Sequence, residues 1–94
     1  MPRIRTHPGA VLREDFLLPL GLSGRALAED LRIPPNRITE ILRGNRAVTA
    51  DTAQRLARRF GTTPQFWMNL QANHDLSVAA AAHDYGFIKP STAA

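Results

Sequence analysis

Residues 23–49 read SGRALAEDLRIPPNRITEILRGNRAVT, and the fold turns on this stretch. Ser23 is a good N-cap, because a serine oxygen accepts a hydrogen bond from an amide of the first helical turn; a helix is expected over Gly24–Leu31. Leu27 and Leu31 share one face of it four residues apart, with small Ala28 beside them. Pro35 suits the first position of a second helix, where its missing N–H would be unpaired anyway, and Gly44 supplies the left-handed stop after about Arg43. Only about three residues, Arg32, Ile33 and Pro34, join the two, too few to lay them antiparallel but enough to set them at a steep angle.

That is the geometry of a helix-turn-helix. Such helices must touch early, so one contact residue must be small, and a few apolar side chains must lock the angle. Ala28 is the small contact, Leu27 and Leu31 anchor the first helix, Ile33 fills the turn, and Ile38 and Ile41 anchor the second, with Leu42 also facing inward. The other side of the second helix is left to Asn36, Arg37, Thr39, Glu40 and Arg43, all polar. An ordinary helical hairpin could share the apolar spacing. The short turn, the small contact and the hydrogen-bonding face together point instead to DNA.

Pro35, Asn36, Arg37, Thr39 and Glu40 are the candidate base-contacting residues. An asparagine can pair with adenine and an arginine with guanine in the major groove, although Arg37 could equally touch only phosphate. Arg43, Asn45, Arg46 and Thr49 follow at the end of the helix and in the next loop, where phosphate contacts fix register; Thr49 opens a further helix, whose amides can join them.

Outward from this core, turn residues divide the chain into five helices, and no run alternates with period two long enough for a strand. Pro8 opens a helix to about Leu18, with Val11, Leu12, Phe16 and Leu17 inward, and Pro19 and Gly21 are expected to end it. Thr49 caps a helix over Ala50–Phe60, stopped by Gly61. Thr63 and Pro64 open the last helix, where Phe66, Leu70, Asn73 and His74 fall on one face, with Trp67 and Gln71 beside them. Residues 78–82 extend it with high helix propensity and little to bury. The expected architecture is all-α: a five-helix helix-turn-helix domain with a C-terminal helical extension over residues 1–85, then a loosely held tail over 86–94. Phe66, Trp67, Leu70 and His74 are the expected dimer interface, with burial of Trp67 inside its own chain as the competing reading.

Lysine and arginine outnumber aspartate and glutamate by 12 to 8, a formal charge of +4, and the excess sits centrally. Between Arg32 and Arg59 there are seven arginines against Glu40 and Asp51 alone, the footprint of a polyanion partner. Arg55, Arg58 and Arg59 are expected merely to be solvated. The absence of cysteine removes disulfides and thiolate metal sites. No apolar run is long enough for a signal peptide or membrane span, so a cytoplasmic protein with no membrane partner is expected.

Catalysis has little to stand on. Ser23 is already used as a cap, and His74 and His83, nine residues apart, fall on opposite sides of any continuous helix. No phosphate loop or metal motif occurs, so neither a cofactor nor a metal is called for.

Residues 23–60 resemble the lambda repressor domain, and the wider stretch 7–76 resembles the HigA-type antitoxins of bacterial toxin-antitoxin operons. The motifs carrying this are HPG at 7–9, PPNRI at 34–38, RAVTADTA at 46–53 and GTTPQFWMNLQ at 61–71. The resemblance implies a homodimer that binds operator double-stranded DNA, represses its own operon, and directly neutralises a HigB-type toxin, an mRNA endoribonuclease. A stand-alone regulator without a toxin is the alternative. Two positions depart from the family pattern. Arg32 stands where the turn commonly has glycine, at a strain of about 1 kcal/mol, and Glu40 replaces a basic or amide residue.

Overall fold

A computed structural model describes residues 3–92. The expected domain and tail extend beyond it by residues 1, 2, 93 and 94, which lie outside the described residues. Five helices follow one another: α1 over 8–20, α2 over Gly24–Leu31, α3 over Pro35–Leu42, α4 over Ala50–Phe60 and α5 over Pro64–Ala82. No strand occurs among the described residues, and no helix is long and apolar enough to cross a membrane.

Caps set these boundaries. Ser23, Thr49 and Thr63 each accept at the side-chain oxygen from the amide three residues on, those of Ala26, Thr52 and Phe66. α1 is capped by an imidazole: His7 Nδ1 accepts from Gly9 N at 2.9 Å. Pro19 does not end α1 as expected. The helix widens into a π-helical stretch over Leu12–Leu17 and carries Pro19 within its final turn, Leu18–Leu20, before left-handed Gly21 stops it. The wide turn re-spaces the carbonyls that a proline ring would strike in a regular helix.

α2 and α3 both end in paired 6→1 and 5→2 bonds. Ile33 N donates to Ala28 O and Arg32 N to Glu29 O after α2; Asn45 N donates to Glu40 O and Gly44 N to Ile41 O after α3. The first of these turns takes its left-handed residue from Arg32, at φ 58, as the sequence suggested. Ile33, the next residue, is drawn into the core.

The core lies under the helix-turn-helix. Leu12, Leu27, Ala28, Ile38, Ile41, Ala53, Leu56 and Trp67 are fully buried at its centre. Two glycines permit close approach. A Cβ on Gly9 would collide with the Ile41 carbonyl, so α1 starts hard against the end of α3, and one on Gly24 would meet Leu42 Cδ1 at 2.9 Å. Gly24 and Ala28, one turn apart, thus form a small-residue seam for α3, of which the sequence reading identified only Ala28.

α5 is rotated from its expected orientation: its buried residues are Trp67 and Gln71, whereas Phe66 is 38 % exposed and Leu70 only packs against the rim. Trp67 is 0 % exposed and donates Nε1–H to Thr62 Oγ1 at 2.8 Å. It is therefore removed from the expected dimer interface. An indole needs both a large apolar pocket and one polar partner, and its own chain supplies both.

The N-terminal arm is tied to α5, where Arg5 N donates to Ser77 Oγ at 2.8 Å and the Arg5 carbonyl accepts from His74 Nδ1 at 2.8 Å. The His74 ring meets His7 edge-on at 4.8 Å. Partial burial and nearby His74 hold the His7 imidazole below its ordinary value of 6.5, with Asp75 pulling the other way. Below 6.5 the unfolded chain takes up a proton that the folded chain resists, and protonated Nδ1 can no longer accept from Gly9. The His7 contribution is therefore complete above 6.5 and is lost as pH falls from there through the folded value. In melting curves taken from about pH 7.5 to 5, His7→Asn, which keeps a capping oxygen without a titrating ring, should flatten the decline; a decline as steep as the parent's would assign it to other groups.

Candidate nucleic-acid interface

With Ile38, Ile41 and Leu42 turned inward, the advance of about 100° per residue leaves Asn36, Glu40 and Arg43 as the outward ridge of α3. Arg37 flanks this ridge on the α4 side, bonded to Asp51, and Thr39 on the α2 side, near Gly24. Pro35, Asn36 and Arg43 are exposed, and Arg37, Thr39 and Glu40 are half-buried. The five expected base-contacting residues thus form one continuous surface, with Thr39 Oγ1 donating back to the Asn36 carbonyl at 3.3 Å.

The expected phosphate-contacting residues lie next to it. Arg43, Asn45, Arg46 and Thr49 are all exposed around the α3–α4 loop, and the loop hangs on one buried group. Val48, itself buried, donates its amide to Gln71 Oε1 at 2.7 Å, and Gln71 Nε2 donates to Asp75 Oδ1 at 2.9 Å. The sequence placed Gln71 beside the apolar face of its helix without assigning it a role. Its partner is 23 residues away, and helical periodicity carries no signal for such a contact.

Acids are built into this surface. Arg46 Nε donates to Glu40 Oε2 at 3.0 Å, and Asp51 Oδ2 accepts from both Arg37 Nη1 and Arg55 Nε at 2.9 Å. The bond from Arg55, opposed by desolvation and aided by the positive charge of Arg55 and by the bond and charge of Arg37, holds the Asp51 carboxyl below its ordinary range. Arg55 also donates Nη1–H to the Leu31 carbonyl at 2.7 Å, and Arg59 pairs with Asp30 at 3.2 Å. The expectation that α4's arginines are merely solvated is corrected for these two. Both reach the end of α2, Arg55 to a terminal carbonyl that has no helical partner and Arg59 to the Asp30 carboxylate.

Phe66, Leu70 and His74 lie on α5, apart from this surface. His74 is engaged within the chain by Arg5 and His7.

The Helix-turn-helix family matches the chain over residues 12–67. "Virulence-associated protein I" of Dichelobacter nodosus is 53% identical over 79 residues, covering 84% of this chain and 71% of that protein. Among solved structures, the Pseudomonas aeruginosa antitoxin HigA with higBA promoter is 40% identical with a TM-score of 0.86, covering 96% of this chain and 98% of that one. The antitoxin GraA in complex with its operator is 38% identical with a TM-score of 0.91, covering 99% and 97%.

Gln71→Leu should leave the buried Val48 amide without a partner, at a cost of about 1 to 3 kcal/mol in urea unfolding. Amide exchange should quicken across residues 43–49. A variant as stable as the parent would mean that water or the shifted backbone takes over the bond.

Proposed function

Because the chain belongs to the helix-turn-helix family, in its HigA-type antitoxin branch, we propose that it binds operator double-stranded DNA with α3, represses its own operon in the bacterial cytoplasm, and neutralises a HigB-type endoribonuclease toxin by direct contact. The observation that carries the DNA reading is the unbroken polar surface of α3, whose ridge of Asn36, Glu40 and Arg43 is raised on an apolar scaffold and continues into the Arg43–Arg46 loop. Asn36, Arg37, Thr39 and Glu40, opening at Pro35, read bases; Arg43, Asn45, Arg46 and Thr49 hold phosphates. Relatives solved with promoter or operator DNA support the same partner.

A single α3 spans only a few base pairs, so strong discrimination calls for two copies on a pseudo-palindrome with half-site centres about 34 to 36 Å apart or a multiple of one turn. We assign the homodimer to α5, where Phe66, Met68, Leu76 and Val78 remain exposed and Leu70 and His74 lie at the rim. Residues 1–85 act as one DNA-binding and dimerising unit, with 86–94 as an appended tail. Nothing in this role calls for a cofactor or a reaction.

Arg37→Ala should cost about 1 to 3 kcal/mol on the preferred duplex and relax base preference there. Arg43→Ala and Arg46→Ala should weaken preferred and random DNA alike, each lowering the salt slope by about one unit. Equal losses for Arg37→Ala on both DNAs would make it a phosphate contact. A protein without sequence preference, or one that fails to co-purify with the product of the neighbouring reading frame, would remove the operator and toxin assignments respectively.

A further inference from the structure

We propose that Asp51 is a positioning residue that sets base discrimination by holding Arg37 in one orientation at the flank of α3; this rests on the reading of α3 as the DNA-contacting helix. The Asp51 carboxylate touches no part of the outward ridge. It belongs to a chain of three hydrogen bonds that starts on backbone, running from the Leu31 carbonyl to Arg55 Nη1 at 2.7 Å, from Arg55 Nε to Asp51 Oδ2 at 2.9 Å, and from that oxygen to Arg37 Nη1 at 2.9 Å. The chain is anchored at its backbone end and at its middle link. The Leu31 carbonyl is fixed by the left-handed turn at Arg32, and Asp51 sits in the first turn of α4, where the helix dipole favours a carboxylate.

The guanidinium has five N–H donors, and this arrangement uses one of them. The edge bearing Nη2 remains available for a paired acceptor such as guanine O6 and N7. An arginine free to rotate would instead settle on the nearest phosphate, a contact that every sequence offers. Holding the side chain in the unbound protein removes ordering cost from the specific complex. The carboxylate also repels a phosphate approaching Arg37 from that side, which weakens binding to arbitrary DNA. Exposed ion pairs contribute little to folding, so the effect belongs in discrimination rather than in stability.

The test uses a duplex enriched by the full-length parent protein from a random library, together with its shuffled counterpart, titrated across a range of salt. Asp51→Asn keeps the shape and removes the charge. It should bind the shuffled duplex more tightly, steepen the salt slope by about one unit as Arg37 turns to phosphate, and reduce discrimination about tenfold. Asp51→Glu should recover part of the discrimination, and melting temperatures should stay close to the parent's. In an Arg37→Ala background, Asp51→Asn should leave discrimination unchanged, because its effect passes through Arg37. Unaltered discrimination in Asp51→Asn, or the same loss with and without Arg37, overturns the proposal. A parent protein that enriches no sequence overturns the reading of α3 instead.

Discussion

The interaction on which the rest of the structure depends is the burial of Ile38 and Ile41 against α2 and α1. α3 is only eight residues long, and a helix of two turns has no stability of its own in water. Its position is therefore a property of what surrounds it. Gly24 and Ala28 let α2 approach closely on one side, and Gly9 lets the start of α1 press against the Ile41 carbonyl at the far end. Larger residues at these sites would move α3 outward, and displacements of this kind are not absorbed by a close-packed interior. The HPG motif acquires a physical meaning here: the histidine caps, the proline opens the helix, and the glycine makes room.

Polar bonds then fix what packing leaves free. A buried amide in the α3–α4 loop is held by Gln71, and the end of α2 is held by Arg55 and Arg59. None of these three side chains bonds to the polar surface of α3. Together they determine where that surface sits relative to the scaffold, so substitutions on α4 and α5 can alter DNA binding without touching DNA.

The fold was legible in the sequence because its signals are local. Ser23, Thr49 and Thr63 cap where expected, and Arg32 adopts the left-handed turn demanded by a three-residue connection. The surface of α3 was legible for the same reason, since it is what remains after the apolar positions are taken. Apart from Pro19, which the π-helical turn before it accommodates, the misreadings concern contacts that helical periodicity does not encode. Trp67 and Phe66 are neighbours of equal apolar character, and periodicity cannot tell which one faces in; the choice was made by Thr62, which offers the indole a partner, and by the amide of Val48, which needs Gln71 one turn along. Gly24 and Gly9 were invisible as contacts because a glycine gives no hint of what approaches it.

Charge shows most clearly how placement qualifies composition. Of the seven arginines between Arg32 and Arg59, four, Arg37, Arg46, Arg55 and Arg59, are bonded to carboxylates, so the field offered to DNA is weaker than the sequence count suggests. For any protein that distinguishes one DNA site among many, such pairing is an advantage. Phosphates attract free cations without regard to sequence, whereas a cation already held by a carboxylate gains little from a phosphate and more from a base edge in the right geometry. Two of those carboxylates, Glu40 and Asp51, lie on or beside the polar surface of α3 itself. Each of these pairs neutralises a cation that composition alone would count toward the positive field.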